Sequence, residues 1–130
     1  MNIIICDDRI DDRKNLSDLL SDYGEKKNYE FTITEYDSGE QLCEEQSALE
    51  ACQLLFLDIN MQGMDGLKTA MRIKEKYPKQ IKAIFIRRLG DAKHQAKIEK
   101  LSKGHEDYFF FIKKATEGIA ICEKLGFISE

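Results

Sequence analysis

The sequence has no apolar stretch long enough to cross a membrane. Its apolar runs, such as residues 108–112, are far shorter than the ~18 residues that a transmembrane helix needs. Residues 1–6 run straight into acidic residues and lack the basic-then-apolar pattern of a secretory signal peptide. We therefore expect a cytoplasmic protein with no membrane partner.

Metal-binding cysteine and histidine patterns are also missing. The four cysteines form no Cys-x-x-Cys pair, and His94 and His105 stand apart from them. This spacing argues against a structural zinc site. In a cytosolic protein, reduced and buried thiols are the default.

The composition is that of one folded domain, which we assign to residues 1–130, with any output domain outside this chain. The 130 residues are 42% hydrophobic and 34% charged, with a net charge of −4, which argues against a self-sufficient nucleic-acid binder. Residues 1–65 carry 5 basic and 16 acidic side chains, whereas residues 66–130 carry 15 and 8. This uneven distribution of charge has two alternative explanations. The charged residues form solvated helix faces, or they form an acidic pocket in the first half and a basic partner-binding face in the second.

Five short apolar segments alternate with amphipathic, helix-like segments. The predicted strands are residues 3–6, 31–36, 54–57, 81–86 and 108–112. One predicted helix ends at Gly24, a second begins after an N-cap at Ser38, and a third ends before Pro78. A fourth spans residues 92–103, and the last passes through Leu125. This alternation predicts an α/β fold with a doubly wound parallel sheet and helices on both faces. We expect the flavodoxin-like (βα)5 arrangement with strand order 2-1-3-4-5.

Charged residues follow three of these strands. Asp7 and Asp8 follow the first strand, Asp58 ends the third, and Lys113 follows the fifth. Ligands of such sheets bind at the carboxyl ends of strands, where the strand order reverses, so we expect the three carboxylates to converge. Mg²⁺ relieves the repulsion among such carboxylates. A carboxylate beside Mg²⁺ can attack a phosphoryl group, and the lysine can supply countercharge. The alternatives are that Asp7 and Asp8 cap the first helix and that Lys113 is merely solvated.

Three segments resemble the receiver domain of bacterial two-component response regulators: residues 3–8, residues 55–66 and, more weakly, residues 110–113. Residues 6–8, 38–40 and 64–70 look most like receivers that carry a LytTR-type DNA-binding domain. The resemblance implies that a sensor histidine kinase donates a phosphoryl group, and that DNA is contacted only through an output domain. It also implies a change of the face formed by the predicted helix 92–103, the fifth strand and the last helix, and a possible homodimer through that face. Transfer and hydrolysis would be slow and self-catalysed, so we expect no conventional enzyme.

The resemblance also implies a role for each matching residue. Asp58 corresponds to the phosphoacceptor. Asp8 corresponds to the residue that ligates Mg²⁺ directly, and Asp7 to its neighbour, which usually acts through water. The backbone carbonyl of Asn60 would complete the Mg²⁺ site, and Lys113 would contact the phosphoryl group.

Four positions depart from the family pattern, and one of them is Gln62, which stands where a proline is frequent. Arg87 stands where the family has Thr or Ser after the fourth strand, Lys114 stands where a proline follows the lysine, and Phe110 lacks the hydroxyl of an aromatic switch residue. Arg87 could pair bidentately with a phosphate, or it could contact Asp58 before phosphorylation and hold the domain in one state. Two hypotheses therefore remain: a phosphorylation-dependent receiver, and a degenerate receiver that acts as a phosphorylation-independent protein-interaction module.

Overall fold

Five strands form one parallel sheet, in the order 2-1-3-4-5 when they are numbered along the chain. The computed structural model describes residues 1–87, 99, 103–104 and 109–128. The strands in it are β1 (Asn2–Cys6), β2 (Thr32–Tyr36), β3 (Leu54–Asp58), β4 (Ala83–Arg87) and β5 (Phe109–Ile112). The predicted fold class and strand order are confirmed.

Five helices surround the sheet in the described part of the chain. They are α1 (Ile10–Lys27), α2 (Gly39–Glu44), α3 (Gln46–Ala51), α4 (Gly66–Lys76) and α5 (Ala115–Lys124). None of the helices in these residues is long and apolar enough to span a membrane. The helix predicted at residues 92–103 lies almost wholly outside the described residues, so the face that it would share with β5 and α5 stays a prediction.

The sheet separates two apolar clusters because neighbouring side chains of a strand point to opposite faces. Ile4 of β1 belongs to the cluster that contains Leu67 of α4. Ile3 and Ile5 belong to the other cluster, which contains Ile119 of α5. All five residues of β3 are buried. Burial on both faces explains why the central strands are continuous apolar runs rather than alternating ones.

Helix α1 continues past Gly24, where the sequence predicted its end. It runs to Lys27, and Asn28 closes it in the left-handed conformation at φ 58°, a position that favours glycine or asparagine. Gly24 stays helical, and a Cβ there would lie only 3.0 Å from Cδ2 of Phe31. Gly24 therefore marks a close approach of α1 to the chain entering β2.

Ser38 caps α2 as predicted, since its Oγ accepts a hydrogen bond from the N–H of Gln41 at 3.1 Å. The single helix predicted after it is wrong, because the segment forms both α2 and α3. Glu45 separates them with backbone angles of φ −90° and ψ 70°. Its N–H bonds to the carbonyl of Leu42, a tight turn that ends α2.

A carboxylate on α5 joins that helix to α1. The hydroxyls of Tyr23 and Tyr29 both donate hydrogen bonds to the carboxylate of Glu123. The hydrogen bond from Tyr23 is the main reason that the pKa of Glu123 is lowered and that the pKa of Tyr23 is raised to about 12. These contacts hold α5 beside the C-terminal part of α1.

Candidate functional site

The carboxyl edge of the sheet places Asp7, Asp58 and Arg87 side by side. Cys6 pairs with Leu57 in the β1–β3 ladder, so the residues that follow them in sequence are neighbours. Asp58 pairs with Arg87 in the β3–β4 ladder. Asp7 and Asp58 are buried, with 7% and 5% of their surfaces exposed. The convergence predicted for these two carboxylates is therefore present.

Asp12 is the third carboxylate of the group. One carboxylate oxygen each of Asp7, Asp12 and Asp58 lies within 4.8 Å of the others. Asp12 belongs to the first turn of α1. The sequence reasoning missed it, although a signal was available: the helix that follows β1 must begin at the carboxyl edge of the sheet.

Asp8 does not lie in this group, which corrects the expected convergence of Asp7, Asp8 and Asp58. Its carboxylate instead accepts a hydrogen bond from the backbone N–H of Gln62 at 3.0 Å, which turns it toward the loop after β3. Asp8 lines an adjacent recess together with Asn60 and Gln62. Its assignment as a direct Mg²⁺ ligand stays a prediction.

The loop after β3 folds back onto Asp58. The N–H of Asn60 donates to Oδ1 of Asp58 at 3.3 Å, and the N–H of Gly66 donates to the carbonyl of Ile59 at 3.1 Å. A Cβ at position 66 would lie 2.3 Å from the carbonyl oxygen of Asp58. Helix α4 can therefore begin this close to the end of β3 only with a glycine at position 66. The carboxylate of Glu40 accepts the N–H of Met64, which ties the same loop to α2.

The electrostatics of the group favour a proton or a cation. The pKa of Asp7 is raised to about 6, chiefly by burial of its carboxyl group and also by the nearby carboxylates of Asp58 and Asp12. The backbone N–H of Arg9 and the guanidinium of Arg87 act in the opposite direction. The net upward shift means that burial and the two acidic neighbours together outweigh the two groups that stabilise the charged form of Asp7.

Arg87 bridges two of the carboxylates. Its Nη2 lies 3.3 Å from Oδ2 of Asp12 and 3.5 Å from Oδ2 of Asp58. Its side chain is 32% exposed, so the guanidinium remains accessible from solvent. Of the two placements left open for Arg87, the structure shows the contact with Asp58.

Lys113 borders the same cavity. The polar residues that line a space of about 290 Å³ are Asp7, Asp12, Asn15, Asp58, Arg87, Lys113 and Lys114. Lys113 follows β5 directly, its side chain is exposed, and its backbone N–H donates to the carboxylate of Glu117 at 3.4 Å. Among the described residues, Lys113 makes no ion pair with Asp58. The edge of the sheet therefore combines acidic groups with three cationic residues, Arg87, Lys113 and Lys114, around one opening.

A sequence model of the response regulator receiver domain matches residues 3–125. The chain belongs to the response regulator receiver domain family. The match confirms the family seen in residues 3–8 and 55–66, and it extends that likeness through α5. None of the curated proteins compared with this receiver domain by sequence matches it.

Solved receiver structures resemble this one over nearly its whole length. A CheY-like receiver domain protein from Methanospirillum hungatei is 26% identical, with a TM-score of 0.64 over 92% of this chain and 87% of its own. The response regulator TrrA from Thermotoga maritima, in complex with Mg²⁺-BeF, is 22% identical, with a TM-score of 0.70 over 95% and 97%. A receiver protein from Pseudomonas putida is 16% identical, with a TM-score of 0.70 over 95% of each chain. The last two likenesses show the fold alone.

Proposed function

We propose that this receiver domain accepts a phosphoryl group on Asp58 from a sensor histidine kinase, with Mg²⁺ bound beside Asp58. The observation that carries this proposal is the position of Asp58. It is a nearly buried carboxylate at the carboxyl edge of the sheet, it has two acidic neighbours, and its cavity is also lined by Lys113 and Arg87. Membership of the receiver family supports the same role.

The residues present suit Mg²⁺. Asp7 and Asp58, which lie together, and Asp8 and the backbone carbonyl of Asn60, which line the adjacent recess, offer only hard oxygen ligands, which Mg²⁺ prefers. Carboxylate oxygens of Asp7 and Asp58 lie within 4.8 Å of each other and of Asp12, and a divalent cation would relieve the repulsion among them. When bound, Mg²⁺ neutralises charge on the phosphoryl oxygens. TrrA was solved in complex with Mg²⁺-BeF, which supports the assignment by analogy.

The transfer itself is a displacement at phosphorus. A carboxylate oxygen of Asp58 attacks the phosphorus of phosphohistidine. The new P–O bond forms as the P–N bond breaks, and the imidazole nitrogen keeps the electron pair and takes up a proton. The N–H of Asn60 holds Oδ1 of Asp58, so we assign the attack to Oδ2, on the side of Arg87. Lys113 and Arg87 balance the charge of the phosphoryl group.

The finer features of the proposal rest on the resemblance of particular segments. Residues 6–8, 38–40 and 64–70 support a receiver of the LytTR type, which would contact DNA only through an output domain outside residues 1–130. The phosphorylated domain would change the face of helix 92–103, β5 and α5, and a homodimer would form there. We also propose a cytoplasmic location and slow self-catalysed dephosphorylation rather than conventional enzyme activity.

Intact-mass measurement after incubation with acetyl phosphate and Mg²⁺ tests the proposal. The wild type should gain ~80 Da, the mass of one phosphoryl group, and should gain nothing when EDTA replaces Mg²⁺. Asp58→Asn should stay unmodified, whereas the control Asp18→Asn, an exposed position on α1, should be modified like the wild type. A folded wild type without the adduct would contradict the phosphoacceptor role and leave the interaction module as the remaining hypothesis.

A further inference from the structure

We propose that Asp12 is a positioning residue that holds Arg87 against Asp58, and that Arg87 in this position binds the phosphoryl oxygens. Arg87 would then take the place of the hydroxyl residue expected after the fourth strand of a receiver. This inference rests on the proposed phosphoacceptor function of Asp58, and it adds a residue that the sequence reasoning did not consider.

The backbone of Arg87 is fixed beside the acceptor. Arg87 is the register partner of Asp58 in the parallel ladder of β3 and β4. Its carbonyl also accepts the N–H of Ile59 at 3.2 Å. The side chain of Arg87 therefore starts next to Asp58, and only its own torsions decide where the guanidinium lies.

Asp12 supplies the contact that settles those torsions. An arginine side chain loses rotamer entropy when it is held in place, so one weak contact with Asp58 would leave it free to turn toward solvent. Nη2 is nearer to Asp12, at 3.3 Å, than to Asp58, at 3.5 Å. Asp12 comes from α1 and Asp58 from β3, so the two carboxylates hold the guanidinium from separate elements.

The guanidinium keeps unused donors in this position. A guanidinium carries five N–H donors, and both carboxylate contacts are made by the single nitrogen Nη2. Within the described ranges, Nη1 and Nε make no hydrogen bond. Charge-assisted pairing of an arginine with phosphate oxygens commonly uses two such donors. Arg87 can therefore keep its contact with Asp12 and still bind a phosphoryl group on Asp58.

Two other roles for Asp12 predict different results. If Asp12 is a Mg²⁺ ligand, its removal weakens the binding of Mg²⁺ alone. If Asp12 is only a nearby negative charge, its removal strengthens the binding of an anion, because like charges repel. If Asp12 positions Arg87, its removal weakens anion binding although a negative charge has been lost. The sign of the change separates positioning from simple repulsion.

Calorimetric titration with Mg²⁺ alone, and with beryllofluoride in the presence of Mg²⁺, measures the two affinities. The variants are Asp12→Asn, Arg87→Gln and the double variant, with Asp11→Asn as the matched control, since Asp11 is the exposed acidic neighbour in the same turn of α1. We expect Asp12→Asn to weaken beryllofluoride binding about tenfold and Arg87→Gln at least as much, the size of one charge-assisted hydrogen bond. The double variant should be no weaker than Arg87→Gln alone, and Asp12→Glu should recover part of the loss.

Each contrary result has its own meaning. Unchanged or tighter beryllofluoride binding by Asp12→Asn overturns the positioning role, as does a fall of more than about tenfold in its affinity for Mg²⁺ alone. Losses that add in the double variant overturn the dependence of Asp12 on Arg87. If the wild type gains the phosphoryl adduct but Arg87→Gln binds beryllofluoride normally, the inference about Asp12 and Arg87 fails, whereas the proposed phosphoacceptor function stands. If the wild type shows neither adduct nor beryllofluoride binding, the proposed function fails and the inference falls with it.

Discussion

Asp58 and Arg87 are the last register pair of the ladder between β3 and β4, and Oδ2 of Asp58 lies 3.5 Å from Nη2 of Arg87. The strongest carboxylate candidate for phosphorylation thus has a permanent cation beside it. The same guanidinium also contacts Asp12, so removing Arg87 would change the electrostatics of the whole carboxyl edge of the sheet.

Replacing Arg87 should raise the pKa of Asp7 above about 6, because the guanidinium is one of the groups that hold that pKa down. We expect Arg87→Met, which keeps much of the apolar stem, to move the midpoint of Asp7 upward in metal-free protein. Carbon-detected NMR of the Asp7 carboxyl across pH 4–8 measures it. Arg72→Met, on α4, is the control and should leave the midpoint in place. A midpoint that stays or falls in Arg87→Met contradicts the electrostatic role of Arg87.

Asp7 should make the metal-free domain less stable as the pH rises through about 6. Because the pKa of Asp7 is raised in the folded state, the folded domain holds a proton that the unfolded chain has released from about pH 4 upward. The free energy of unfolding therefore falls with pH over this range and levels off above pH 6. We expect Asp7→Asn to exceed the wild type by roughly 1–3 kcal/mol at pH 7.5 in EDTA and to match it near pH 4.

Denaturant unfolding at the two pH values measures this difference. Asp18→Asn, at an exposed position of α1, controls for the loss of one negative charge. An equal gain from Asp7→Asn at both pH values would contradict the assigned pKa. Mg²⁺ should stabilise the wild type and have little effect on Asp7→Asn, since binding to the folded state alone adds stability.

Gly66→Ala should be far more damaging than its position at a helix start suggests. The added Cβ would lie 2.3 Å from the carbonyl oxygen of Asp58, so either the start of α4 or the end of β3 must move. We expect a loss of roughly 2–4 kcal/mol in the free energy of unfolding. Phosphorylation by acetyl phosphate should also be impaired, because the shift occurs at the acceptor itself.

Gly126→Ala provides the comparison for this effect. Gly126 has φ +74°, and a Cβ there would meet nothing within 4 Å, so its cost comes from backbone conformation alone. That cost is about 1–2 kcal/mol. If the two variants lose the same stability and both are phosphorylated like the wild type, the close approach of Gly66 to Asp58 does not constrain the acceptor.

Tyr23 should ionise at a higher pH than an ordinary tyrosine. Its hydrogen bond to Glu123 is the main cause of a pKa raised to about 12, because ionisation would break that bond and place two negative charges together. Glu123→Gln should bring the midpoint of Tyr23 back toward 10. Tyrosine ring-carbon NMR resolves this residue from the other tyrosines. An unchanged midpoint in Glu123→Gln would mean that the contact between α1 and α5 does not form in solution.

The fold could be predicted because burial on both faces leaves a plain pattern. The runs at residues 3–6 and 54–57 are entirely apolar, and each ends at an aspartate, so a parallel sheet must bring Asp7 and Asp58 to the same edge. The capping of α2 by Ser38 depends only on residues close together in the sequence, and it is confirmed.

The features that the sequence did not predict depend on contacts between residues that are far apart in the sequence. The end of α1 was predicted at Gly24, but the space needed beside Phe31 explains that glycine, and Asn28 ends the helix instead. Asp8 was expected in the carboxylate group, yet the N–H of Gln62, 54 residues away, turns it aside. Asp12 was missed because the reach of a first-turn side chain depends on the position of the helix relative to the sheet.

The bridge from Asp12 through Arg87 to Asp58 has an evolutionary consequence. A single mutation of Arg87 to threonine would supply the hydroxyl expected after the fourth strand, but would leave Asp12 beside Asp7 and Asp58 with only the distant ion pair to Arg9 at 4.0 Å. A single mutation of Asp12 would leave the guanidinium with only its weak contact to Asp58, free to turn toward solvent. Each change is harmful without the other, so the two positions should be inherited as a pair: an acid at 12 with an arginine at 87, or neutral residues at both.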